Sequence, residues 1–365
     1  MAKERILSAD SHVRILDDAV LGHLASRHHE AYKQARLEYI ARMIKKAKRK
    51  PGSGEAQSPE EIWRQQPWEA ANRKGEYDPA ERIKDMDIDG VEAEVLYTDP
   101  EAGVAYNGMP NGGRLAAFQA FNNAALDFAR HDPKRLLIVY LIPIVDIDEA
   151  VGEVTRLAKE GARAFMIPLF PADLDLPPYF DPHYDRLWGA IQETGIPISQ
   201  HVGASEAVWR VFRYDDTPAR GIFQSLPPIF MAEALGSWIV GGVFERFSQL
   251  RVVLVEAGLG WLPYYLERLD TMQRSHGWDT YGTMIKEKPS NYWRRNMMAT
   301  FEEDRFGIAQ RQRLGIENLM WATDYPHPDS TWPHSQKVLE THFDDVPIEE
   351  ARQIIGGNCA RVYGL

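Results

Sequence analysis

Short apolar runs alternate with amphipathic stretches along the whole chain, and run after run ends on a polar residue. Arg5-Ile6-Leu7-Ser8-Ala9 predicts a first strand ending at Asp10-Ser11-His12. The segment from there to about Gly75 is long and mostly helical, with a break at Pro51-Gly52-Ser53-Gly54. Its basic run Lys45-Lys46-Ala47-Lys48-Arg49-Lys50 suits a solvated helix face. Trp63 and Trp68 suggest that the end of this insertion packs back on the body.

From residue 79 the alternation is regular. A helix over Pro79 to Asp87 precedes the strand Ala93 to Tyr97, which ends at Thr98-Asp99. A long amphipathic helix, Gly113 to His131, leads to Leu136 to Leu141, apolar at every position as in a strand covered on both faces. A helix from Ile147 to Glu160 follows, then the short strand Ala164 to Ile167. Asp181-Pro182 opens another helix with the acceptor and the fixed φ that a helix start favours, and Gly195 stops it. Ile196 to Gln200 then runs into His201. A helix over Pro227 to Phe247 leads to the strand Arg251 to Val255, ending at Glu256-Ala257-Gly258, and Trp261 to Arg274 is helical. Met297 to Thr300 ends at Phe301-Glu302-Glu303-Asp304, and Leu319 to Thr323 ends at Asp324. Strands alternating with helices in this way predict an α/β fold, a (β/α)8 barrel with a helical insertion (13–78) after strand 1 and helices over 333–365. An open doubly wound sheet is the rival, but no Gly-rich phosphate turn follows the first strand. All 365 residues are expected to form one such domain.

Composition narrows the partners. A net charge of -11 argues against nucleic acid, and no apolar run is expected to span a membrane. The N-terminus enters a strand without a signal-peptide core, and the lone Cys359 rules out an intrachain disulfide. A cytoplasmic enzyme acting on a small molecule is the expectation, as a homo-oligomer or paired with a homologous subunit.

In a barrel the active site lies where the strands end. The residues at those ends are Asp10 and His12, His201, Glu256, and Asp324 with His327. Alone, Asp324 reads as a loop cap and His327 as a surface imidazole. Three histidines and three carboxylates converging on one mouth are harder to assign to packing. A metal compensates carboxylates that would otherwise repel one another. Of the Glu302-Glu303-Asp304 acids, one could reach the mouth, with helix capping an equal alternative for Asp304. His276, Trp278 and His334 are candidate substrate contacts on loops that follow strands, whereas Trp332, His28, His29 and His183 read as structural or surface residues.

Ala9-Asp10-Ser11-His12-Val13, Gln200-His201-Val202-Gly203, Val255-Glu256-Ala257-Gly258 and Trp321 to Pro328 resemble the amidohydrolase superfamily, in its branch that includes non-oxidative decarboxylases. Gly356 to Tyr363 resembles the closing helix of that family. The resemblance implies metal ligation by Asp10, His12, His201 and Asp324; Glu256 and His327 match by location alone. The chain departs from the pattern in three places. Asp10-Ser11-His12 stands where His-x-His is usual, Met166 and Pro168 where many binuclear members carry a carboxylated Lys, and Glu256 where a His follows the sixth strand.

The implied cofactor is a divalent metal, one or two per chain. Iron is favoured by mixed imidazole and carboxylate ligands, with zinc or manganese also suited. In a hydrolase Asp324 would bind metal and take a proton from its water. In a decarboxylase the metal would hold the substrate carboxylate while an acid protonates the ring carbon. Asp324 and Glu256 are the expected catalytic groups. Glu256-Ala257-Gly258 with Asp324-Tyr325-Pro326-His327 resembles the pattern of non-heme di-iron monooxygenase-like members, which hydroxylate a C–H bond, and this is the sharpest reading. A mononuclear hydrolase or a non-oxidative decarboxylase of a cyclic or aromatic acid is the alternative, and a metal-binding partner subunit a further one.

Overall fold

The computed structural model describes residues 5–46, 70, 73–98, 100–110, 112–203, 221, 225–280 and 285–365. Nine strand segments appear in chain order: β1 (Leu7–Val13), β2 (Ala93–Thr98), β3 (Leu136–Ile138), β4 (Tyr140–Leu141), β5 (Phe165–Met166), β6 (Ile198–His201), β7 (Val252–Val255), β8 (Met297–Phe301) and β9 (Leu319–Trp321). All pair in parallel, as β1-β2-β3 and as β4 through β9 in order. β3 and β4 are halves of one strand. Val139 N donates to Leu96 O on one side and Tyr140 N to Ala164 O on the other, so the strand changes partner at Val139. The other seam, between β1 and the end of β9, is joined by Asp324 N to Asp10 O (3.0 Å) and His12 N to Tyr325 O (2.6 Å). The result is a closed (β/α)8 barrel.

The period of two along the strands sorts the core. Leu7, Ala9, Val95, Tyr97, Leu137, Val139, Met166, Val253, Val255, Met298 and Met320 share one buried cluster, the barrel interior. Their neighbours Leu96, Ile138, Phe165, Ile198, Val252, Leu254, Ala299 and Trp321 belong to a second cluster with the outer helices. Helix starts follow the sequence chemistry: Asp78, Asp146 and Asp181 accept from backbone N–H groups in the first turn that each precedes. Gly90 and Gly195 end their helices in the left-handed conformation that glycine adopts without Cβ strain.

Four expectations are corrected. The first strand continues through Asp10, Ser11 and His12 to Val13 and does not end at Ala9. Its register shifts between Ser8 and Ser11, and the polar side chains there are buried against Thr323, so the hydrophobic pattern stops before the strand does. The last strand stops at Trp321, because Thr323 N turns from ladder pairing to Ser8 Oγ (2.9 Å). The helix expected over Pro227 to Phe247 is two pieces, Pro227–Val240 and Val243–Arg246, parted at Gly241-Gly242. That same segment, Pro227–Arg246, is by length and composition apolar enough to cross a membrane. Part of that apolarity goes into packing: Met231, Leu235, Trp238 and Ile239 are fully buried, whereas Ile229 is exposed.

The insertion after β1 contains the helices Asp17–His23 and His29–Lys46. The Pro51 to Gly54 break, Trp63 and Trp68 lie outside the described residues. The chain ends in Ser335–His342, Ile348–Arg352, a π turn at Gln353–Gly357 and Asn358–Tyr363. Gly356 lies against the Arg5 carbonyl with no room for a Cβ, and buried Asn358 Nδ2 donates to Leu319 O at 2.7 Å. This closing segment therefore packs at the starts of β1 and β9, and the Tyr363 hydroxyl lies 3.3 Å from that of Tyr97.

Candidate metal centre

At the C-terminal end of the strands six candidates meet. Asp10 and His12 come from β1, His201 from the last position of β6, Glu256 from just past β7, and Asp324 and His327 from the turn after β9. His201 Nε2 lies 3.4 Å from Asp10 Oδ1, and His12 Nε2 lies 3.7 Å from the same oxygen and 3.1 Å from Asp324 Oδ1. His327 Nδ1 bonds Asp324 Oδ1 at 2.8 Å, and His201 Nδ1 is 3.7 Å from Glu256 Oε2. Two groups thus have ligand atoms within 4.8 Å of one another: Asp10, His12 and His201, and His12, Asp324 and His327.

Backbone conformation sets two of these residues apart. Outside glycine, positive φ among the described residues is confined to Asp175 (57°), Glu256 (55°) and Asp324 (54°), so two of the three are in this cluster. A side chain in the left-handed region costs about 1–2 kcal/mol, and such strain gathers at functional sites. Thr300 Oγ1 accepts from Glu256 N at 2.8 Å, and the Ser8, Ser11 and Thr323 hydroxyls hold the turn before Asp324.

Electrostatics separates the groups. Burial raises the Asp10 carboxyl well above its ordinary range, and the charge of Asp324 adds to the effect. Glu256 is raised for the same reasons in the same order, with Glu302 contributing. Asp324 moves the other way: burial opposes ionisation, but His327 and His12 together outweigh it. Burial depresses the His201 imidazole to about 3 against the pull of Asp324. His12 also falls to about 3, through burial and then the charge of His327. His327 is raised, because Asp324 and Asp10 overcome its burial.

The donor set fits a divalent cation. Both Asp10 oxygens, His12 Nε2, His201 Nε2 and Asp324 Oδ2 are buried with no hydrogen-bond partner. Such atoms are costly to leave unpaired. Neutral imidazoles and carboxylates at one point are the ligands of Mn, Fe or Zn. Second contacts orient them, as for His327 on Asp324.

The other candidates separate. Glu302 does reach the mouth: its Oε1 is buried and unpartnered, and burial, then Asp324 and Asp10, raise its carboxyl well above the ordinary range. Asp304 instead caps backbone, accepting from Leu259 N, Gly260 N and Gly307 N at 2.6–2.7 Å. Tyr97, not singled out by sequence, brings its ring centroid 5.2 Å from that of His201; its inward position on β2 is the signal that could have found it. His334 is not brought to the cluster. It is exposed, because the chain after Trp332 runs away from the mouth along helix Pro79–Asp89, where Ser335 N donates to Asp89 Oδ1 at 2.9 Å. Trp332 is packing, with Nε1 donating to Asp85 O at 2.9 Å and its ring against Tyr325. His29 bonds Leu24 O, and Asp181 caps His183 N. The side chains of His276 and Trp278 lie outside the described residues. Beside His201 is an apolar pocket walled by Phe118, Leu141, Ile142, Ile144, Met166, Ile167 and Leu169.

A family profile described as amidohydrolase matches residues 9–365. The chain belongs to the amidohydrolase family. Among curated proteins it is similar to 2-amino-3-carboxymuconate-6-semialdehyde decarboxylase of Dictyostelium discoideum, 22% identical over 300 residues, 79% of this chain and 77% of that one. Among solved structures it is similar to 5-carboxyvanillate decarboxylase of Sphingomonas paucimobilis (TM-score 0.72, 21% identity, 100% of both chains). Another is the 5-carboxyvanillate decarboxylase of Novosphingobium aromaticivorans complexed with manganese and 4-hydroxy-3-methoxy-5-nitrobenzoic acid (TM-score 0.74, 16% identity, 99% of this chain and 96% of that one). These neighbours fit the decarboxylase alternative better than a di-iron monooxygenase, and none of them supports iron specifically. The oxygen-rich ligand set that suggested iron is also one that manganese accepts.

Proposed function

We propose that this amidohydrolase-family protein is a divalent-metal-dependent, non-oxidative decarboxylase of a cyclic or aromatic carboxylic acid. The observation that carries the proposal is the convergence of Asp10, His12, His201 and Asp324 with buried, unpartnered ligand atoms at one end of the barrel. The decarboxylase relatives and the manganese-bound neighbour support the choice of reaction and metal. Asp10, His12, His201 and Asp324 would hold the metal, which would supply Lewis acidity toward the substrate carboxylate.

The protein residues divide the remaining work. Asp324, held ionised by His327 and His12, serves as a ligand and orients the site. The apolar side chains of Ile142, Met166 and Leu169 beside His201 would face the substrate ring. Glu256, raised well above its ordinary range, carries the proton. It delivers that proton to the ring carbon as the bond from that carbon to the carboxylate breaks and CO2 leaves; water then restores the proton. Environments that push two carboxyl groups apart assign the acid and the ligand. We place the enzyme in the cytoplasm, on the support of a single, fully buried cysteine.

The test is to load the protein with Mn(II) and offer hydroxylated benzoic acids, following CO2 release and oxygen uptake together. The expected result is CO2 equal to acid consumed, no oxygen uptake, and turnover about 10²–10⁴-fold lower in Glu256→Gln. Oxygen uptake without CO2 would replace this reading with an oxygenase.

A further inference from the structure

We infer that Arg82 is a positioning residue for the metal centre, clamping the barrel seam on which His12 and Asp324 stand. The inference rests on the metal-site reading and goes beyond it, because Arg82 touches no ligand atom. It lies on helix Pro79–Asp89, outside the strands, and its side chain is completely buried. Nε donates to Glu94 Oε2 of β2 at 2.6 Å. Nη1 donates to the backbone carbonyl of His12 at 2.7 Å and to Gly75 O at 3.3 Å. The guanidinium carbon lies 4.3 Å from the ring centroid of Tyr325, the residue after Asp324. Tyr325 is fixed from its far end, its hydroxyl donating to Asp85 Oδ2 at 2.6 Å.

One rigid, planar cation therefore joins two residues that belong to opposite sides of the seam. This seam is where the barrel relies on His12 N to Tyr325 O, Asp324 N to Asp10 O and a cluster of hydroxyls in place of a regular ladder. Both candidate metal groups share His12, so a shift of the seam alters both. His201 stands on β6, which Arg82 does not contact. Lys cannot reproduce the arrangement, because a single ammonium lacks the fork and the flat face that lies over Tyr325.

The test separates positioning from stability. Arg82→Met alone leaves Glu94 buried without a partner, a change that can unfold a protein by itself. The double variant Arg82→Met/Glu94→Met removes both charges, a replacement that is often neutral for stability. Wild type, Arg82→Lys and the double variant are titrated with Co(II), read by equilibrium dialysis and visible absorption, with thermal unfolding of each metal-free protein alongside. The expected result is a Tm near wild type for the double variant and Co(II) affinity lower by roughly 10–100-fold. Altered absorption bands and an intermediate affinity for Arg82→Lys complete it. A folded double variant with wild-type affinity and spectrum overturns the proposal. Loss of the fold in the double variant overturns it too, because Arg82 would then be structural. Failure of wild type to bind Co(II) overturns the metal site itself, a distinguishable outcome.

Discussion

Behind β6 the rings of Tyr179, Tyr184, Trp188 and Trp238 stack on one another, fully buried, and their polar atoms all have partners. Trp188 Nε1 donates to Tyr179 O, Trp238 Nε1 to Gln200 Oε1, Tyr179 hydroxyl to Pro168 O and Tyr184 hydroxyl to Pro177 O, at 2.6–3.1 Å. One residue beyond Gln200 the same strand delivers His201 to a cluster in which Asp10, His201 and Asp324 are also buried, yet the Asp10 oxygens accept nothing. The first region is closed by its own packing and needs no ligand. The second is left open in hydrogen bonding and charge, with strained backbone at Glu256 and Asp324. A fold that satisfies its polar atoms a few ångströms away leaves this cluster incomplete because a cation completes it.

If the two regions are independent, damage to the first should cost stability without touching metal. Trp188→Ala removes a side chain with no exposure and leaves a cavity among three rings. Changes of this kind cost about 3–5 kcal/mol. Urea unfolding of the metal-free protein measures that loss, and Mn(II) dialysis on the folded variant should return the wild-type affinity. A parallel collapse of metal affinity would mean that the ring stack also positions His201.

Damage to the second region should do the reverse. His201→Ala removes a ligand at the end of β6 while the packed faces of the strand stay in place. Loss of a direct ligand should weaken metal binding by at least the roughly 10–100-fold typical of groups one contact further out. Metal analysis at known protein concentration checks this, with content well below one equivalent expected and the metal-free melting curve close to wild type. Full metal content in the variant would remove His201 from the site.

The same contrast explains what the sequence made legible. The apolar runs gave the strands and their order, because interior and exterior faces of a barrel both demand hydrophobic residues. The polar residues that end those runs gave Asp10, His12, His201, Glu256, Asp324 and His327. Where polar residues are buried for other reasons, the pattern failed: Ser8, Asp10 and Ser11 hid the last part of β1, and Thr323 lengthened β9 on paper. Tyr97 looked like another core residue, since period two cannot tell a ring in the core from one beside a metal. His334 followed a strand in sequence but not in space, because its loop runs along helix Pro79–Asp89. Arg82 gave no signal, its partners being Glu94, the His12 backbone and a ring, none of which spacing reveals.

The smallest expected effect tests whether the second region is costly when metal is absent. Burial and Asp324 hold the Asp10 carboxyl above its ordinary range, so the folded metal-free protein keeps a proton that the unfolded chain loses near pH 4. By linkage, stability then falls as pH rises from about 4 through the raised folded value, and the loss is complete above it. His12 and His201 give the opposite arm. Folded, they sit at about 3, against about 6.5 unfolded. Their contribution is whole above about pH 6.5 and is lost as pH falls toward 3. Asp10→Asn removes part of the falling arm and leaves the histidine arm in place; Glu256, raised for the same reasons, keeps the remainder. In EDTA the variant should therefore be more stable than wild type by on the order of 1 kcal/mol near neutral pH, the usual size of a stabilising change. That gap should widen as pH rises from about 4 toward the raised folded value, while Mn(II) stabilises wild type and has no effect on the variant. Urea unfolding at four pH values decides it. A variant less stable than wild type throughout would show that the Asp10 carboxylate is satisfied by the protein alone, and the two buried regions would no longer differ in kind.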